Sequence, residues 1–149
     1  MFLLIDGVTK RVVSTPIKGT AAIRNGASAK TALYDSPKER AELTMIVDLV
    51  RNDLGRVANP GTVVAGPRSI RECGDLWHAE QSVFAELRSN CDAVEAVRAA
   101  FPPGSVTGAP KVRAMEVING LEPTARGIYT GAIGWFADGG SAHFNVAIR

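Results

Sequence analysis

The 149-residue sequence has little that would mark it as a secreted, metal-stapled or polyanion-binding protein. Cysteine occurs twice, at Cys73 and Cys91, with no C-x-x-C pair, and the two histidines do not stand at metal-ligand spacing. A disulfide scaffold and a zinc site are thereby excluded, and a reducing compartment fits best. Charge is nearly balanced, 17 Lys+Arg against 15 Asp+Glu for a net charge of +2, with no Lys/Arg block. Nothing in that balance calls for a nucleic-acid partner. No apolar run approaches the length of a membrane span. Met1 to Ile5 is too short for a signal peptide and lacks a preceding positive charge. No internal repeat or low-complexity linker interrupts the chain. The expectation is a cytoplasmic, soluble domain that handles a small molecule.

What is present is a mixture of strand and helix signals. Phe2–Ile5, Asp6-Gly7 and Arg11–Val13 suggest a hairpin closed by a tight primed turn. Pro16 to Ala32 has glycines and no periodic apolar pattern, which predicts a loop. Ser36, Pro37 and Glu39 then form a helix-start signature. Leu43, Ile46, Val47, Val50 and Leu54 follow at helical spacing, with Gly55 as a stop. Thr62 to Leu87 predicts strands, Ala93 to Phe101 a short helix, and Pro102 to Gly108 a Pro/Gly loop. A second helix follows with Pro110 and Lys111 in its first turn and Val112, Met115, Ile118 and Leu121 on its apolar side. Gly127–Phe136 and His143–Ile148 predict a closing hairpin. The class is α+β. Both ends break off in strand-like sequence, so a piece of a longer domain, incomplete at both ends, is expected.

Several side chains could carry chemistry. Glu39 and Glu42 are three apart on one helix and share a face. A divalent cation would relieve their repulsion; the alternative is a solvated first turn that complements the helix dipole. The loop from Phe101 to Lys111 delivers backbone amides to a helix start, where a carboxylate or phosphate can bind. It lacks the Gly-Lys-Ser/Thr of a phosphate-binding Walker loop, and a plain structural turn is the competing reading. Lys18 precedes Gly19 in a position open to a ligand and is either a nucleophile or a surface charge. His78 is a candidate proton donor or a structural histidine. Tyr129 and Arg149 fall on the closing hairpin, where an arginine can clamp a carboxylate.

Taken together and in order, these residues resemble one family. Pro16-Ile17-Lys18-Gly19-Thr20, Ser36 to Glu42 and the long run Met45 to Arg56 are similar to the chorismate-binding enzymes. So are Phe101 to Met115, Arg126-Gly127-Ile128-Tyr129 and Ala147-Ile148-Arg149. The family includes anthranilate, aminodeoxychorismate, isochorismate and salicylate synthases. The resemblance implies antiparallel β-sheets packed face to face with helices outside. It implies Mg²⁺ at Glu39 and Glu42, and His78 beside the substrate ring where the hydroxyl departs. Gly19, Thr20 and Ser105 would surround the substrate, and Tyr129 with Arg149 would hold a chorismate carboxylate. Lys18 is the discriminating position: members that aminate chorismate at the para position have P-I-K-G-T, and anthranilate synthases typically carry alanine there.

The implied reaction is that of aminodeoxychorismate synthase component I, in which ammonia from a glutamine amidotransferase converts chorismate to 4-amino-4-deoxychorismate. Anthranilate synthase component I and a non-catalytic remnant of such an enzyme stand as alternatives. Three departures bear on this. Ala21 to Gly26 replaces the family's Arg-Pro-Arg-Gly, Ala79-Glu80-Gln81 replaces Leu-x-Ser after His78, and a second pair of acidic metal ligands is not in the sequence. A chain with half the metal cage is expected to be inactive alone.

Overall fold

A computed structural model describes residues 1–148. Its centre is a seven-stranded, fully antiparallel sheet. β1 (Leu3–Ile5) pairs with β2 (Arg11–Ser14), as the hairpin signal predicts. The connection is longer than a two-residue primed turn. Asp6 instead accepts hydrogen bonds from the amides of Val8 (2.9 Å) and Thr9 (3.2 Å), and Lys10 takes a positive φ of 58°. The aspartate carboxylate thus organises a wider turn through its own side chain.

The expected loop from Pro16 to Ala32 is a strand and a helix, β3 (Ile17–Ala22) and α1 (Gly26–Asp35). Both escaped the periodicity argument for physical reasons. β3 gets its conformation from long-range pairing with β5 (Leu76–Glu86), and α1 buries only Leu33. The next helix, α2 (Pro37–Gly55), begins as the sequence predicts, with the Ser36 hydroxyl accepting from the Glu39 amide at 3.3 Å. Leu43, Val47 and Leu54 recur on its buried face and pack into the core against the sheet.

β4 (Val64–Cys73) and β5 lie where strands are predicted, within Thr62–Leu87, and pair as one long hairpin. One edge of β5 is taken by β4, and the other is shared by β2 and β3 in succession. α3 (Ala93–Ala100) is closed by a capping box, Asp92 with Glu95, and buries Ala93, Ala96, Ala99 and Ala100. The Pro/Gly loop contains a single turn, α4 (Gly104–Thr107), before α5 (Lys111–Leu121). β6 (Ala132–Phe136) and β7 (Ala142–Val146) form the closing hairpin, and β7 returns to pair with β1.

The α+β antiparallel class is as the sequence predicts. All strands of the described residues belong to one sheet, and its packed layer is helical. Cys73 is exposed, Cys91 is buried, and both are free thiols. Among the described residues no helix is long and apolar enough to cross a membrane.

One buried ion pair joins the helices. Lys111 Nζ lies 2.5 Å from Asp53 Oδ2 and donates to the Ala100 carbonyl at 3.1 Å. It therefore ties the end of α2, the end of α3 and the start of α5 at one point. Burial pushes the Asp53 carboxyl up, and Lys111 opposes that shift. Removing only the cation strands a buried carboxylate. Lys111→Met should therefore cost about 3 kcal/mol in urea denaturation, and adding Asp53→Leu should recover most of it. Equal losses in the single and double variants would show that the pair contributes packing alone.

Candidate active site

The site is built where β3 departs from regular pairing. Its register against β5 continues that of β2 as far as Ile17↔Glu80, then slips before Thr20↔His78. The slip falls on Lys18 and Gly19, and Gly19 has φ +88°. A bulge of this kind re-aims the side chains around it. Gly19 also lies against α2: a Cβ there would stand 2.7 Å from Glu39 Oε2 and 2.9 Å from Leu33 Cδ1. A Cβ would have to displace the Glu39 carboxylate and the end of Leu33, on a backbone whose positive φ already favours glycine.

Beside that contact, Lys18 Nζ pairs with Glu42 Oε2 at 2.9 Å, with side chains 46% and 33% exposed. The hydrogen bond and charge of Lys18 hold the Glu42 carboxyl below the ordinary range for glutamate. The pair is accordingly intact at neutral pH and is lost as pH falls through that lowered value. On β5, His78 meets Thr20, with Thr20 Oγ1 and His78 Nδ1 2.9 Å apart. This bond orients the ring through Nδ1 and leaves Nε2 for a ligand.

The β3 bulge thus makes two sets of contacts, Lys18 and Gly19 with Glu42 and Glu39 of α2, and Thr20 with His78 of β5. Among the described residues no three His, Cys, Asp or Glu side chains cluster as a metal cage. The two acids of α2 supply hard carboxylate oxygens, the donor chemistry of a cation that fills its remaining positions with water and substrate. The residues after His78 have structural employment: Ala79 is fully buried, Glu80 pairs with Arg71 at 2.8 Å, and Gln81 donates to the Gly66 carbonyl at 2.8 Å.

Ser105 and Tyr129 are placed elsewhere. Ser105 sits on α4, and Tyr129 lies in the turn before β6 rather than on the strand. They line one depression together with Glu122, Arg126 and Thr130. Arg126 holds this turn, bonding to both Glu122 carboxylate oxygens (2.7 and 2.5 Å) and to the Val106 carbonyl (3.1 Å). A mostly apolar cavity of about 360 Å³ is lined by Ile17, Asp53 and Ser105 among others. Arg149 lies outside the described residues.

Asp53, Lys111 and Arg126 are the residues that sequence reasoning missed. Glu122 and Arg126 pair across the irregular segment after α5, where no helical spacing rule applies. Asp53 and Lys111 are 58 apart in sequence, and no local pattern joins them.

The profile of the chorismate binding enzyme family matches residues 1–149. The chain belongs to that family. It is 43% identical over 152 residues to aminodeoxychorismate synthase component 1 of Bacillus subtilis, covering 99% of this chain and 32% of that protein. It is 46% identical over 153 residues to anthranilate synthase component 1 of Bacillus caldotenax, covering 98% of this chain and 30% of that protein. Among solved structures, anthranilate synthase component I from Streptococcus pneumoniae superposes with a TM-score of 0.85 at 34% identity, over 99% of this chain and 33% of that one. The chain therefore spans about a third of the length of these relatives.

The bulge contact yields a direct test. Gly19→Ala should lower stability by more than about 2 kcal/mol, because positive φ and the Glu39 contact both penalise a Cβ. Gly74→Ala, at φ +57° with open space around it, should cost only about 1 kcal/mol. Equal losses in thermal melts would mean that α2 does not press on the bulge.

Proposed function

We propose that this chain supplies the lysine-bearing half of an active site that aminates chorismate to 4-amino-4-deoxychorismate, the precursor of p-aminobenzoate. The observation that carries the reading is Lys18 on the β3 bulge, with Thr20 and His78 on the adjoining strand and Glu42 within ion-pair distance. A lysine amine so placed can form a bond to a ring carbon as the ring's C–O bond to the hydroxyl breaks. His78 Nε2 is free to give the departing hydroxyl its proton, so that it leaves as water. Ammonia, delivered by a glutamine amidotransferase, then forms its own bond to the ring as the Lys18 bond breaks.

Glu39 and Glu42 would hold Mg²⁺, which would neutralise a substrate carboxylate when bound. Two carboxylates fit that ion's habit of taking one or two protein acids and completing its shell with water and substrate oxygens. Ser105 and Tyr129 would contact the substrate's other carboxylate, across the cavity that Ile17 and Ser105 share.

A second reading, ortho amination to anthranilate, has specific support: the Bacillus caldotenax relative is as similar as the aminodeoxychorismate synthases are. Product identity separates the two. Grafted in place of the matching segment of the Bacillus subtilis relative, this chain should yield the para product from chorismate, ammonium and Mg²⁺. Lys18→Ala in the graft should lower that yield by at least about 100-fold, the scale of a lost covalent or acid–base step. Anthranilate as the product, or undiminished para product from Lys18→Ala, would overturn the assignment.

A further inference from the structure

We propose that Lys18 is the built-in counter-cation of Glu42, and that a divalent cation must displace its ammonium from that carboxylate before Lys18 is free to meet substrate. This rests on the reading of Glu39 and Glu42 as cation-binding acids. Lys18 Nζ lies 2.9 Å from Glu42 Oε2, so it occupies an oxygen that a metal would need. An ammonium and a hard dication cannot share that oxygen at bonding distance without strong like-charge repulsion.

The surroundings make the exchange feasible. Glu39 and Glu42 stand one helical turn apart, and Glu39 lies against the Gly19 Cα, next along β3 from Lys18. Two neighbouring carboxylates repel, and a lysine on the facing strand relieves that repulsion while the site is empty of metal. The Lys18 side chain is nearly half exposed, so it can swing away without unpacking the core. Its backbone is fixed by the bulge, which keeps the released amine on the same stretch of β3 as Thr20 and, through it, His78. Cation occupancy of Glu42 and release of the Lys18 side chain from that carboxylate would therefore be one event.

The test uses Mn²⁺ as a probe, read by water-proton relaxation on the 149-residue chain. Lys18→Met should tighten Mn²⁺ binding by about two- to five-fold, the range open to a partly exposed ion pair. Lys18→Arg should leave the affinity near that of the unaltered chain. Lys38→Met, which removes a charge of the same sign from the first turn of α2, should change it less than Lys18→Met does. In lysine-labelled protein, Mg²⁺ should shift the Lys18 Cε–H signal, and Glu42→Gln should abolish that shift. Equal or weaker Mn²⁺ affinity in Lys18→Met, with affinity lost in Glu42→Gln, would overturn the competition while sparing the cation site. Affinity unchanged in both Glu39→Gln and Glu42→Gln would overturn the cation site and the proposal with it.

Discussion

The contact between the β3 bulge and the first turns of α2 sets the geometry of everything around the site. Strand pairing is regular from Arg11 through Ile17, and the register slips where Gly19 meets the carboxylate of Glu39. The slip aims Lys18 at Glu42 and still lets Thr20 resume pairing opposite His78. A strand without the bulge would carry Lys18 and Thr20 in strict alternation and would need no glycine. The helix in turn is fixed by its Ser36 cap and by Leu43, Val47 and Leu54 in the core, so its two acids face a rigid partner. Local backbone irregularity and rigid packing thus work together, as a preorganised site requires.

A second constraint holds the opposite wall. The Asp53–Lys111 pair joins three helix ends beneath the loop that carries Ser105, and Gly104 beside it packs directly on Leu49. Burial of both partners makes this pair a weak source of net stability but a strong source of specificity for one arrangement. Ser105 and Ile17 line the same cavity as Asp53, although 88 positions separate them in sequence.

Much of this was legible in the sequence, and what was not has physical reasons. α2 announced itself through its cap and periodicity, the strands β4 and β5 through β-branched residues, and the β6–β7 hairpin through alternation with glycine turns, while α3 fell where a short helix was expected. β3 did not, because its conformation comes from β5 rather than from its own composition, and α1 did not, because only Leu33 is buried. Lys18, Glu39 and Glu42 could be named as candidates from local chemistry and family resemblance. That Lys18 and Glu42 form an ion pair could not, since it depends on the slip at Gly19. Glu80 and Gln81, which depart from the family pattern, turn out to serve the β4–β5 pairing, an employment that only the sheet reveals.

The central claim is that chorismate engages the β3 bulge, where Lys18 meets Glu42 of α2 and Thr20 meets His78 of β5. Chorismate titrated into the ¹⁵N-labelled chain with Mg²⁺ present tests this residue by residue. The account predicts amide shifts concentrated at Lys18 to Thr20, Glu39 to Glu42 and His78, with smaller ones at Ser105. Shifts confined to α5 and β6, with β3 and the start of α2 unmoved, would contradict it.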